Sequence, residues 1–486
     1  MGDSALKEKT SKGLFWGGLS SFLQQLLNAA FGIYLARTLL PDDYGLVGML
    51  AVFSLLANTL QESGFTSALI NRKEIRHEDY NAVFWFSLLV SLSCYAVLFF
   101  CAPLIARYFH QPVLVRLARW TFLSFVMTGL GIVPRAYLTK KMQVRGIAVV
   151  TVAAVVVSGS VGVFLAWRGM AYWALVIQAL VLNFLMNLGL WIYSGWRPSL
   201  AIDFRPVKEM FRFSVKLVAT SVLGILNSNL ITVILGRYYA VERVGYYSQA
   251  NKWSGMGTST LSGMINSVSH PALAEVADDP ARQLRVFRKM TRFTAFVSFP
   301  AMLGLAFIAP DFIRIALTDK WTDSIRLMQI LCVGGAFVPL SNLFVNLLFS
   351  RGRSTAYMWS NIAMLALTLA AVYLSYPFGI SRMVLAITAI SVLWLFVWCV
   401  LSRRAIGYSC LQLAADLLPF LATAVAAIAV AFLLTSRIGN PYWLLALKIL
   451  LVAALYIFTM WAAGAATFRE CIDFLKVNRR VNREKK

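Results

Sequence analysis

Charge is scarce in this chain: 14% of its 486 residues are Asp, Glu, Lys or Arg, against 59% that are hydrophobic. A soluble domain carries about a quarter of its residues as charges, so a water-soluble globule is excluded before any motif is read. Histidine is scarcer still. His77, His110 and His270 lie far apart in or beside loops, without the spacing that metal ligands need. The six cysteines build nothing either: Cys94, Cys101, Cys332 and Cys399 fall in apolar runs, and Cys410 and Cys471 in basic segments, so neither a disulfide framework nor a metal cluster is supported. There is no Walker motif, dinucleotide fingerprint or nucleophile elbow, which removes support for direct ATP drive and for hydrolase chemistry. No connector exceeds roughly 25 residues, too short for a separate catalytic domain. Function is therefore expected within the apolar segments themselves.

Crossing about 30 Å of hydrocarbon takes about 20 helical residues. Fourteen runs meet that length: 13–36, 45–70, 81–102, 117–134, 146–166, 171–193, 212–236, 247–269, 291–309, 326–348, 355–375, 382–401, 417–435 and 442–466. The first is too long for the core of a signal peptide and lacks a cleavage site, so it is expected to stay as a span. The net charge of +24 is a matter of topology rather than nucleic-acid binding, because most Lys and Arg fall on the side of the N-terminus. The expected topology is a multi-pass protein of the bacterial inner membrane with both termini in the cytoplasm. The tail adds Lys476, Arg479, Arg480, Arg483, Lys485 and Lys486, a topology signal that can also touch anionic headgroups. Two connectors, with Phe204, Val207 and Phe211 and with Leu284, Phe287 and Met290 at helical spacing, read as helices lying on the membrane surface.

Self-comparison adds a repeat. Arg37-Thr-Leu-Leu-Pro-Asp42-Asp-Tyr-Gly45 returns 200 residues later as Arg237-Tyr-Tyr-Ala-Val-Glu242-Arg-Val-Gly245. Ala102-Pro103 matches Ala309-Pro310, Ile132-Val133-Pro134 matches Phe337-Val338-Pro339, and Arg145-Gly146 matches Arg351-Gly352, at offsets of 205 to 207. Six spans separate equivalent helices, so the halves share an orientation and form a parallel repeat suited to alternating access. The expected fold is all-α, with two six-helix lobes around a central cavity plus two C-terminal helices. Its divisions are an N-terminal lobe 1–211, a C-terminal lobe 212–401, accessory helices 402–466 and a basic tail 467–486.

Leu35-Ala-Arg37-Thr-Leu-Leu-Pro-Asp-Asp-Tyr-Gly45, Glu62-Ser-Gly-Phe, Ile70-Asn-Arg-Lys-Glu-Ile75, Asp319-Lys-Trp321 and Leu331-Cys-Val-Gly-Gly335 give the chain a resemblance over nearly its whole length. It resembles the polysaccharide transporters of the multidrug/oligosaccharidyl-lipid/polysaccharide superfamily, the Wzx-type flippases, and within them the colanic-acid exporters. That resemblance implies export of an undecaprenyl-diphosphate-linked oligosaccharide for surface polysaccharide synthesis, without catalysis or a bound cofactor. It also implies coupling to a proton or sodium gradient, contact with membrane lipids, and a polysaccharide polymerase and chain-length machinery as partners. Nucleic acid is not expected as a partner. A lipid II or multidrug exporter of the same superfamily is the nearest alternative; a membrane glycosyltransferase or polymerase is disfavoured by the short outside loops.

A sugar-diphosphate headgroup crossing hydrocarbon needs hydrogen bonds and positive charge along its path. An ionisable residue at the bilayer centre costs about 2.5–3.5 kcal/mol, so those within spans are functional candidates. Glu62, the acidic residue placed within span 2, is the expected ion-coupling group, or else a structural carboxylate at a helix break by Gly64. Lys216 and Lys252 either hold phosphate or uronate groups or snorkel to the interface. Lys448 reads as an interfacial anchor. Gln24, Gln25 and Asn28 on span 1 and Asn227, Ser228 and Asn229 on span 7 are polar at matching depth, which points to a cavity lined by both halves; interhelical packing is the other reading. Arg37 is expected to brace its loop against Asp42 or Asp43, and Arg237 against Glu242.

Overall fold

The computed structural model describes residues 3–62, 75–200, 229–436 and 438–464, with 204, 222, 224, 225 and 468 as isolated positions. The described residues are helical almost throughout and form no strand, as the apolar 3.6-residue patterning requires. Two compact units divide at Ser248/Gln249. The first holds α1 (Asp3–Thr38), α2 (Pro41–Glu62), α3 (His77–Phe109), α4 (Val113–Thr121), α5 (Leu123–Lys140), α6 (Val144–Trp167) and α7 (Tyr172–Ser194). It also takes in the helical stretch 229–238 and the first turns of α8 (Val241–Glu275). The second unit holds the rest of α8, then α9 (Pro280–Phe312), α10 (Thr322–Gly335), α11 (Val338–Ser350), α12 (Ser354–Ser375), α13 (Ile380–Ile406), α14 (Cys410–Thr435) and α15 (Pro441–Ala462).

Ten helical segments among the described residues are long and apolar enough to cross a membrane, so this is a multi-pass membrane protein. The other four expected spans correspond to α1, α2, the stretch containing 229–238, and α8. Their described residues are helical.

An aromatic knot closes one end of the first unit. Phe84 packs edge-on to Trp191 at 5.7 Å, and Trp196 lies 5.4 Å from Phe84. Two indole N–H groups here reach carbonyls, Trp191 donating to Leu130 at 2.9 Å and Trp85 to Ser199 at 2.8 Å, whereas that of Trp196 is buried without a partner among the described residues. The connector after α7 is thereby strapped to α3, a bond completed by Ser199 N–H donating to Asn81 Oδ1.

In the second unit α9 is the hub, packing on α10, α11, α14 and α15. Asp279 caps its start, its side chain accepting from the amides of Ala281 and Arg282. Residues 284–290 do not form a separate surface helix as expected. They are early turns of α9, and Phe287 is fully buried against Phe344 at 5.1 Å and Tyr408 at 5.2 Å. The amphipathic period reflected a face turned to protein rather than to headgroups. The connector of Val207 and Phe211 and the tail 469–486 lie outside the described residues.

The repeat is visible in backbone hydrogen bonds. Leu39 N–H bonds to Leu35 O and Asp43 N–H to Leu40 O; 200 residues on, Tyr239 bonds to Leu235 and Arg243 to Ala240. Later the offset moves to 210. The turn Lys141-Met142-Gln143 donates to the carbonyls of Tyr137, Thr139 and Leu138, and Arg351-Gly352-Arg353 donates in the same order to Leu347, Phe349 and Leu348. Met142 and Gly352 both take positive φ there, 55° and 66°. The Arg-Gly match at 145 and 351 is therefore four residues out of register. A short sequence motif slid because Met142 does the work of Gly352.

Candidate functional site

Within the first unit, α1, α2, α5, α6 and α7 enclose a cavity of about 770 Å³. Its polar lining comes from Gln24, Asn58, Thr59, Thr128, Arg135, Thr151, Asn183 and Asn187. Arg135 is the only ionisable residue among them. Its guanidinium makes no hydrogen bond or ion pair among the described residues, and the residue is exposed.

The amides are held in fixed poses. Asn183 and Asn187, one turn apart on α7, each donate Nδ2 to a carbonyl one turn back, at 2.8 and 2.7 Å, which frees Oδ1 as an acceptor. Gly131 on α5 makes room for Asn187, whose Oδ1 occupies the space a Cβ would take. Asn58 Oδ1 is buried without a partner among the described residues. A net positive charge amid neutral acceptors and hydroxyls suits an anionic, hydroxyl-rich headgroup.

Of the expected lining residues, Gln24 is in this cavity. Gln25 and Asn28 are half-buried on α1, and Asn229 donates to Ile225 O at 3.1 Å. Lys252 lies on the part of α8 in the second unit, its Nζ 5.4 Å from the Trp253 ring centre. Lys216, Asn227, Ser228 and Gly64 lie outside the described residues, as does the side chain of Glu62, whose backbone closes α2. Arg135 was missed because span 4 was ended at Pro134; α5 runs through that proline to Lys140. Asn183 and Asn187 carried a legible signal, two amides at i, i+4 on an otherwise apolar run.

The repeated loops meet inside the first unit. A methyl group on Gly45 would overlap the carbonyl of Val241, and one on Gly245 would overlap the carbonyl of Pro41. Asp43 accepts from Leu40 N–H at 2.9 Å. Burial, and then the nearby charges of Glu242 and Asp43, push the Asp42 carboxyl above its usual range. Arg37 ends α1. Arg237 does not pair with Glu242: it donates to the carbonyl of Tyr108 at 2.6 Å and lies 2.7 Å from His110 Nδ1, at the C-terminal end of α3. Carbonyls ending a helix attract a cation, and Glu242 instead accepts from Tyr246 one turn along α8 at 2.5 Å.

Two buried polar locks join α14 and α15 to α9. Asp416, fully buried, accepts from Arg288 at 2.9 and 3.0 Å, from Arg292 at 2.7 Å and from Tyr408 Oη at 3.1 Å. Lys448 is no free anchor: its ammonium donates to Asp311 at 2.6 Å and sits 4.8 Å from the Phe307 ring centre. Between these locks runs an apolar groove of about 470 Å³ lined by Pro300, Gly304, Leu305, Val452 and Ile457 among others.

A multi-pass bundle of apolar helices with a polar cavity between them is the architecture of a transporter. Within that class, residues 34–326 match the family described as "Polysaccharide biosynthesis protein", and the chain belongs to it. It is 29% identical over 357 residues to the lipopolysaccharide biosynthesis protein WzxC of Escherichia coli, covering 72% of this chain and 71% of that one. It is 24% identical to the succinoglycan biosynthesis transport protein ExoT of Rhizobium meliloti, over 80% and 76% of the two chains. Among solved structures, the lipid II flippase MurJ in an inward closed conformation superposes with a TM-score of 0.78 at 15% identity, over 94% of this chain and 99% of that one.

Proposed function

We propose that this protein flips an undecaprenyl-diphosphate-linked oligosaccharide across the bacterial inner membrane by alternating access, as a step in surface polysaccharide synthesis. The observation that carries the reading is the cavity in which Arg135 is the only charge among the described residues and Gln24, Asn183 and Asn187 supply amides. Arg135 holds the diphosphate, and the amides exchange sugar–water hydrogen bonds for sugar–protein ones. Within the second unit, the apolar groove between α9 and α15 has the chemistry of a site for a polyprenyl chain, which needs no polar partner.

Basic residues concentrated on one side put the N- and C-termini in the cytoplasm, so the Gly45–Gly245 contact faces outward. Parting α2 from the start of α8 then opens the path to the outer leaflet. The halves 1–211 and 212–401 are the moving parts, with 402–466 carried by the second. Glu62 remains the proposed ion-coupling carboxylate, with proton or sodium as the ion; Lys216, Lys252, Asn227, Ser228 and Asn229 are the proposed further contacts to substrate. A polymerase and its chain-length machinery would receive the product.

The test is deletion of the gene followed by analysis of undecaprenyl-linked glycans on each membrane face. Accumulation of one repeat unit in the cytoplasmic leaflet supports the reading, and an unchanged glycan distribution refutes it. Glu62→Gln with normal abundance and normal export would remove Glu62 from the mechanism.

A further inference from the structure

A second pocket in the first unit belongs to none of this machinery. It lies between α3 and α4, encloses about 500 Å³, and shares no lining residue with the polar cavity. Two arginines one turn apart, Arg116 and Arg119, line it together with Tyr95, Phe99 and Trp120, and no acidic residue is among its lining.

The local chemistry is that of an anion site at a membrane interface. Helix α4 buries Leu114, Leu117 and Ala118 and turns Arg116 and Trp120 outward. The Arg119 guanidinium carbon sits 4.3 Å from the centre of the Phe99 ring, which holds the cation in place without neutralising it. Its Nε is buried and has no hydrogen-bond partner among the described residues. A buried N–H on a permanent cation is costly to leave unmet, so a ligand with acceptor oxygens is the expected complement. Free aqueous phosphate does not fit the surroundings: apart from the two arginines the lining is Tyr95, Phe99, Pro112, Val115, Trp120 and Leu123, and Trp120 is 52% exposed, an apolar and aromatic setting that suits lipid.

Depth agrees with this reading. Arg119 is six residues into the segment Val113–Lys140, about 9 Å from its start, the level at which arginine and aromatic side chains meet headgroups. The end concerned is the one where Arg237 meets Tyr108 and His110, hence the outer leaflet in the orientation proposed above.

We propose that Arg116 and Arg119 form a binding site for the phosphodiester of an anionic glycerophospholipid, whose acyl chains lie along the exposed face of α3. Only the choice of leaflet rests on the proposed orientation; binding itself does not.

Native mass spectrometry of the purified full chain, titrated separately with phosphatidylglycerol, phosphatidylethanolamine and undecaprenyl diphosphate, tests it. Wild type should retain phosphatidylglycerol at least about tenfold more tightly than phosphatidylethanolamine, and Arg116→Gln/Arg119→Gln should lose that preference. Arg135→Gln, in the other cavity, should keep it. An Arg116→Lys/Arg119→Lys variant, which retains charge, should keep part of the preference and guards against loss by misfolding. Unchanged phosphatidylglycerol binding in the glutamine variant would overturn the proposal. So would displacement of phosphatidylglycerol by undecaprenyl diphosphate in Arg135→Gln, which would make the pocket a product site. Because the readout is phospholipid retention, its failure is separable from any failure of glycan flipping.

Discussion

Gly45 and Gly245 occupy each other's position in the repeat and make each other's contact: Gly45 lies on the carbonyl of Val241, and Gly245 on that of Pro41. Residues 41 and 241 are themselves repeat partners, so the contact is reciprocal about a local pseudo-twofold relation. Neither position tolerates a Cβ without separating two backbones.

Gly45→Val or Gly245→Val should therefore wedge α2 from α8. Overpacking of this kind costs about 1–3 kcal/mol, enough to shift a two-state equilibrium by roughly fivefold to a hundredfold. Spin labels at Leu40 and Ala240, both exposed, should read a longer distance in either variant, whereas Gly255→Val, where a Cβ meets open space, should leave it unchanged.

The same pair of labels should report pH. The Asp42 carboxyl is raised above its usual range in the contact, so the contact is strongest where Asp42 is protonated and weakens as pH rises through that raised value. The label distance should thus be shorter near about pH 4 than near about pH 7. Asp42→Asn should abolish this dependence.

Arg135→Gln should reduce export by roughly tenfold to a hundredfold at normal membrane abundance, the range for losing charge-assisted hydrogen bonds of about 1.5–3 kcal/mol. Arg135→Lys should retain part of the activity. Leaflet-resolved analysis of the lipid-linked glycan is the measurement.

Removing the buried carboxylate of Asp416 leaves Arg288 and Arg292 facing each other and Tyr408 unpaired. Asp416→Ala should destabilise the second unit by about 3 kcal/mol, the low end for a broken buried pair, because both arginine side chains are partly exposed. Thermal unfolding in detergent should show the loss.

Lys448→Met strands Asp311, with side chains 12% and 15% exposed in the pair. The double variant Lys448→Met/Asp311→Leu should recover most of the stability lost by the single one, since two apolar side chains replace a buried pair more cheaply than one orphaned charge. Equal losses in both would show that the pair is not coupled.

Much of the architecture was open to reading because membrane insertion writes strong rules into sequence. Apolar length marked the spans, and the loop motif at an offset of 200 marked the duplication. The site was less open. Pro134 looked like a helix end, yet α5 continues through it, and so Arg135 was assigned to a connector. Its counterpart by the turn alignment is Val345, an asymmetry that a comparison in the correct register would have exposed.

The sequence by itself determined the helical class, the insertion in lipid and the twofold repeat, because each depends on local composition and on residue identity recurring along the chain. Which polar residues meet was decided only by tertiary structure. Asp416 lies 128 residues from Arg288, and Arg237 lies 127 from His110, distances over which no pattern in the chain selects a partner. Packing alone separated Lys448 the anchor from Lys448 the buried ion pair, and put the arginines of α4 beside the rings of α3.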